Sequence, residues 1–254
     1  MKPSNALSRL KQLHDLTPAR VGLARAGSSI STLEVLKFDR DHARARDAVH
    51  LPFDSATIEE ALRVRELPVV QVHSAAADRS VYLQRPDLGR QLDEDSRRSL
   101  EHFRLPGFQE FDLGVVIADG LSARAVHTNA IALVDQFRLL QGVQGWRWSP
   151  VVVASQARVA IADEIGEILN TRISIILIGE RPGLSAADSM GIYVTFAPRK
   201  GRTDAERNCI SNIRPGGLGY KDAALKLESL IREASRRRLS GVLLKDLTAG
   251  HRKS

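Results

Sequence analysis

The stretch Ile175-Ile-Leu-Ile-Gly-Glu-Arg-Pro-Gly183 decides how the chain is read. Four aliphatic residues, Ile175 to Ile178, run without a break and then meet glycine, two charges and proline. A short, continuously apolar run closed by turn residues fits a strand buried on both faces, as in parallel sheets. Its charged end raises a second question: why Glu180 and Arg181 stand side by side between two glycines. In open α/β sheets ligands bind just beyond the carboxyl ends of the strands. One such loop, taken alone, reads as ordinary turn chemistry with an exposed salt bridge.

Outward from this stretch the same pattern recurs. Leu113 to Ala118 is an apolar run ending in Asp119-Gly120, and Ser122 is placed to cap a helix reaching about Leu140. Val151 to Ala154 is a strand followed by a helical pattern to about Leu169, and Ile192 to Phe196 is a further strand. Lys221 to Arg238 has amphipathic helical spacing, and Gly241 to Leu244 reads as a last strand. Short apolar strands alternating with helices predict an α/β fold. The expected form is a Rossmann-like, doubly wound, mainly parallel sheet over residues 106–254.

Residues 1–105 predict a mainly helical N-terminal region. It holds an amphipathic helix from Ser4 to Leu16 and a Gly/Arg-rich loop. A second helix opens at Ser31, with Glu34 as capping-box partner, and runs to about Val49. A short helix capped by Asp54 or Ser55 and a strand-like Val69-Val-Gln-Val-His73 follow. Residues 78–109 are polar with little periodicity. With Asp119-Gly120 and Gly179-Glu180-Arg181 both at strand ends, two loops of one kind shift the balance from turn chemistry toward one ligand crevice.

Composition bounds the possibilities. Hydrophobic residues make up 43% of 254 and aromatics only 5%, so the core is expected to be aliphatic. No run of about 18 apolar residues exists, so no membrane span is expected, and the N-terminus lacks the apolar segment of a signal peptide. Cys209 is the lone cysteine, so there is no internal disulfide or thiolate metal cage, and a reducing cytoplasm is expected. The seven histidines show no zinc spacing. The net charge of +7 is spread along the chain, with one cluster, Arg236-Arg237-Arg238, near a helix end where cations complement the helix dipole. A basic solvated surface is therefore preferred to a nucleic-acid module, since no aromatic-rich RNA-binding pattern stands out. G-x-G-x-x-G, G-x-x-x-x-G-K-[ST] and G-x-S-x-G are all absent, which disfavours an independent NAD enzyme. The residues by themselves give a ligand-binding α/β domain with no evident catalytic set.

Six blocks, taken in order, carry a resemblance. They are Thr17-Pro-Ala-Arg-Val-Gly-Leu-Ala-Arg-Ala-Gly27, Asp41-His-Ala-Arg-Ala-Arg-Asp-Ala-Val-His50 and Arg85-Pro-Asp-Leu-Gly-Arg90. Then come Ala118-Asp-Gly-Leu-Ser122, Gly179-Glu-Arg-Pro-Gly183 and Glu206-Arg-Asn-Cys-Ile-Ser-Asn-Ile213. Together they resemble the small subunit of ethanolamine ammonia-lyase over nearly the whole chain. The resemblance implies an adenosylcobalamin-dependent lyase that converts ethanolamine to acetaldehyde and ammonia by a radical route. It also implies a large catalytic subunit as partner in a hetero-oligomer, with the cofactor lying between the two chains. The cofactor-binding positions it implies are Val159, Glu180 and Cys209; no residue of this chain is given a catalytic or metal-ligand role. No D-x-H-x-x-G stretch is present, so the cofactor is expected base-on, keeping its own dimethylbenzimidazole. The charged helix with His42, Arg44, Arg46 and His50 is expected to dock on the large subunit. The expected location is cytoplasmic, with packaging in a bacterial microcompartment left open and the Ser4–Leu16 helix as a weak candidate tag. The alternative is a basic Rossmann-like module for RNA or an acidic partner; neither membrane nor nucleic acid is expected as a partner.

Overall fold

The computed structural model describes residues 16, 21, 23, 25–104, 107 and 109–244. The expected helix over Ser4–Leu16 lies outside these, Leu16 excepted. The fold is a mixed α/β arrangement built on a six-stranded, mostly parallel sheet, with seven helices among the described residues. A small hairpin comes first, β1 (Arg25–Ala26) and β2 (Ser29–Ile30), turning at Gly27 with φ 63°. The sheet consists of β3 (Val69–His73), β4 (Phe111–Ala118), β5 (Val151–Ser155), β6 (Thr171–Gly179), β7 (Met190–Phe196) and β8 (Asn208–Ile213). Its spatial order is β3-β5-β4-β6-β7-β8. The first four strands run parallel, and β7 and β8 run antiparallel to their neighbours. β3, from the N-terminal region, pairs along its whole length with β5 and so belongs to the same sheet.

Period-two alternation assigns each strand residue to one of two cores. Leu113, Val115, Ile117, Val151, Val153, Ile173, Ile175 and Leu177 face one layer. It is formed by α2 (Ser55–Arg63), α5 (Ala123–Arg138) and α7 (Tyr220–Arg237). Val70, Val72, Val116, Ala118, Val152, Ala154, Ile176 and Ile178 face the other. That layer is formed by α4 (Glu94–Glu101) and α6 (Ile161–Leu169). Burial on both faces is why these strands read as unbroken aliphatic runs.

The helix caps follow the sequence. Ser31 Oγ accepts the Glu34 N–H at the start of α1 (Thr32–His50), Asp54 caps α2, and Ser122 caps α5. Two expectations need correction, and one strand was not expected at all. Gly241–Leu243 is a single 3-10 turn and not a strand. Gly241 has φ 85°, a Cβ there would collide with Ala205 O, and the Asn208 side chain bonds the glycine's N–H and C=O, which together fix a turn. Asn208–Ile213, to which the sequence reading assigned no element, is the edge strand β8. Residues 78–109 contain α3 (Arg79–Gln84) and α4. These short helices are held by Asp78 and Asp93 caps and bury only Tyr82, Ser96 and Leu100, too few to give a periodic signal.

Candidate functional site

The loops after β4, β5 and β6 meet at the carboxyl end of the parallel strands. Asp119, directly after β4, is buried and gathers them. Its carboxylate accepts N–H bonds from Gly120 (2.9 Å), Gln156 (3.1 Å) and Ala157 (2.9 Å), and an Arg79 bond at 3.3 Å. Burial pushes Asp119 up to about 6, against the pull of the Ala157 N–H and the Arg79 charge. Arg79, at the first position of α3, also donates to Gly120 O (2.9 Å) and, through Nε, to Val49 O (2.7 Å) near the end of α1. One guanidinium thus ties α1 to two of the strand-end loops.

The β4 and β6 loops are in direct contact. Leu121 N–H donates to Gly179 O at 3.0 Å. A Cβ at Gly120, whose φ is 56°, would run into Gly179, and one at Gly179 would run into Ser122. Glycine is therefore required where the two backbones touch. The segment 180–189 is fastened from below. Ser122 Oγ donates to Ala187 O (2.9 Å), and the buried Asn129 amide donates to Asp188 O (2.8 Å) while accepting from Tyr220 (2.9 Å).

Glu180 and Arg181 do not pair with each other. The Glu180 carboxylate accepts from the hydroxyls of Ser189 and Ser211 and from the Asn212 N–H at 3.3 Å, which turns it toward β8. Gly191 leaves room for it, since a Cβ there would lie 2.9 Å from Glu180 Oε1. Arg181 is exposed and faces a cleft instead. The cleft, about 390 Å³, is lined by Gly120, Leu121, Arg158, Val159, Glu180 and Tyr193 among others.

Of the three residues singled out from the sequence, Val159 and Glu180 line this cleft and Cys209 does not. Cys209 sits on β8 directly opposite Tyr193 of β7. Tyr193, which lines the cleft, stands beside the Cys209 thiol across the strand pair and feels the Glu180 charge. Cys209 is exposed, yet the protein mass around its sulfur disfavours the thiolate and raises its pKa. Burial, then the neighbouring Cys209 and Glu180, raises Tyr193. Tyr193 is therefore the residue that joins the three, and sequence reasoning missed it because an aromatic residue in a strand reads as core.

Arg158 is the other omission. Its guanidinium lies 4.2 Å from the Tyr82 ring centre and donates to Tyr82 O at 3.1 Å. Tyr82 is fully buried, with Arg79 4.6 Å from the same ring, and burial raises its pKa. The arrangement offers apolar walls, one engaged carboxylate, a soft thiol and two arginines. Nothing in it constitutes a nucleophile–base pair, and no cluster suited to a metal ion occurs among the described residues. It suits binding more than bond-making.

Residues 7–245 match the family described as ethanolamine ammonia-lyase light chain (EutC). The chain belongs to that family. It is 56% identical to the ethanolamine ammonia-lyase small subunit of Pseudomonas paraeruginosa, over 92% of this chain and 86% of the relative. It is 53% identical to the small subunit of Xanthomonas campestris pv. campestris, over 96% and 89%. It is 54% identical to that of Azotobacter vinelandii, over 93% and 87%. As a member of the light chain family, it is a subunit of a carbon–nitrogen lyase. No helix among the described residues is long and apolar enough to cross a membrane.

Proposed function

We propose that this chain is the cobalamin-covering subunit of an ethanolamine ammonia-lyase, working with a large catalytic subunit on a Rossmann-like, doubly wound scaffold. The observation that carries the reading is the convergence of Val159, Glu180 and Cys209 around Tyr193 at the strand ends. The residues suit the group. A corrin presents a flat apolar body rimmed with primary amides. Val159, Leu121 and Ile178 supply apolar contact, and Glu180, held by two hydroxyls and one N–H, is a fixed acceptor for an amide N–H. Cys209 packs as a small, weakly polar side chain. The cleft is open, so a second surface is needed to enclose a large ligand, as expected of a cofactor lying between two chains.

When bound, adenosylcobalamin supplies the cleavable cobalt–carbon bond that makes radical chemistry accessible. This chain's part is to bind and orient. Glu180 fixes an amide edge, Val159 and Tyr193 set the depth of approach, and the Asp119–Arg79 pair holds the loops that carry them. Base-on binding is the form expected of a sequence with no D-x-H-x-x-G stretch. Substrate chemistry falls to the large subunit. The N-terminal region, residues 1–105, and above all α1, is the docking element; cytoplasmic location, with or without a microcompartment, fits this role.

The test is reconstitution. Acetaldehyde formation from ethanolamine should require this chain, its large subunit and adenosylcobalamin together. Full activity of the large subunit without this chain, or none from the folded three-part mixture, would contradict the proposal.

A further inference from the structure

Most arginines packed against this fold are matched to a carboxylate: Arg65 to Asp135, Arg97 to Glu164, Arg172 to Glu110, Arg207 to Asp163. The two lining the strand-end cleft are not. Arg181 makes no side-chain bond to any described residue. Arg158 spends one nitrogen on Tyr82 O, has a buried Nε without a partner, and meets no carboxylate. The two carboxylates that could neutralise them are already engaged. Glu180 is held by Ser189, Ser211 and Asn212, and Asp119 is buried against Arg79 and three N–H groups. The cleft therefore holds two guanidiniums with no ion-pair partner, beside a Glu180 carboxylate whose oxygens are already engaged.

Planar guanidiniums suit oxyanions, which they can hold through paired N–H bonds. We infer that Arg158 and Arg181 form a phosphate-binding subsite. Resting on the cofactor reading above, the subsite takes the phosphodiester of the cobalamin nucleotide tail, the one anionic group on the periphery of an amide-rimmed ligand. The corrin amides then fall to Glu180 and the phosphate to the arginines, so the two charges that stand adjacent in the sequence serve two different parts of one ligand.

The experiment uses the complex with the large subunit and two probes. Cyanocobalamin carries the phosphodiester, and dicyanocobinamide is the same corrin cut before it. Equilibrium dialysis, read by corrin absorption, gives the affinity of each for unaltered, R181Q and R158Q complexes. Arg181 is exposed, so R181Q leaves the fold intact even if R158Q disturbs Tyr82. The expected result is about a tenfold or greater loss for cyanocobalamin with R181Q, the size of one charged hydrogen bond. Cobinamide affinity should change by less than about twofold. Equal losses for both probes, or no loss for cyanocobalamin, would overturn the phosphate assignment while leaving the cofactor reading in place. Failure of the unaltered complex to retain either corrin would instead overturn the cofactor reading, and the subsite with it.

Discussion

Helices α1 and α5 are of similar length, 19 and 16 residues, yet they live in different surroundings. Helix α5 buries eight residues against the sheet; α1 buries only Ala48. Leu33 and Leu36 of α1 are 62% and 60% exposed, and Val35 and Phe38 are exposed beside them. Helical stability in proteins comes chiefly from packing of an apolar face. By that measure α5 is packed within this chain, whereas α1 keeps Leu33 and Leu36 exposed. The lesson is a division of labour. The sheet and α5 hold the cleft, and the exposed apolar and charged surface of α1 is what the proposed docking on a large subunit would use. The two meet through Arg79, which reaches from the Val49 carbonyl to the Gly120 carbonyl.

The comparison can be broken first at that link. Arg79→Met removes the partner of a buried carboxylate, and breaking such a pair costs about 3–5 kcal/mol. Chemical denaturation should show that loss, together with weaker corrin binding in the complex. A change confined to α1, with the cleft unaffected, would contradict the link. Next comes the packed helix. Leu133→Ala in α5, at 1% exposure, should lower stability by about 2–5 kcal/mol. Leu36→Ala in α1 should change it by less than about 0.5 kcal/mol in the isolated chain while weakening assembly. Equal effects on stability would mean that α1 is packed within the chain.

Asp119 sharpens the comparison through pH. Its folded pKa of about 6 lies above its ordinary 3.8, so the ionised form costs stability above pH 6, and the cost is relieved as pH falls through that range. At 1.36 kcal/mol per pKa unit the cost at neutral pH is at most about 3 kcal/mol. Relative to Asp119→Asn, the unaltered chain should therefore gain stability on acidification from neutral pH to about pH 4. Parallel stability–pH curves for the two proteins would contradict the assignment. The smallest effect on folding belongs to the exposed arginines of α1. Arg44→Glu with Arg46→Glu should leave the melting temperature nearly unchanged and reduce co-purification with the large subunit. Undiminished co-purification would remove these two residues from the docking surface.

What could be read from the sequence followed burial. β4, β5 and β6 are buried on both faces, so unbroken runs such as Val115-Val-Ile117 and Ile175-Ile-Leu-Ile178 announced them. β8 buries only Ile210 and Ile213 among Asn208, Ser211 and Asn212, and its polar half hid the strand. The antiparallel turn into β7 was signalled only by the lack of a helix between Gly179 and Met190. At the site, Glu180 was visible because a carboxylate at the end of an apolar strand is out of place. Tyr193 and Arg158 were not, since a tyrosine within a strand and an arginine after one are commonplace. Their meaning comes from register and from missing partners, which only coordinates supply. The side-by-side charges of the opening stretch likewise looked like a surface salt bridge, and the structure turns them apart.

The most direct measurement is corrin affinity in the assembled complex with Glu180→Gln and, separately, Cys209→Trp. Cobalamin binding should weaken about tenfold or more in each, the loss of one charged contact or a blocked surface, while assembly and melting temperature stay near those of the unaltered complex. Unchanged cobalamin affinity in both variants, with the complex intact, would contradict the placement of the cofactor at these strand ends.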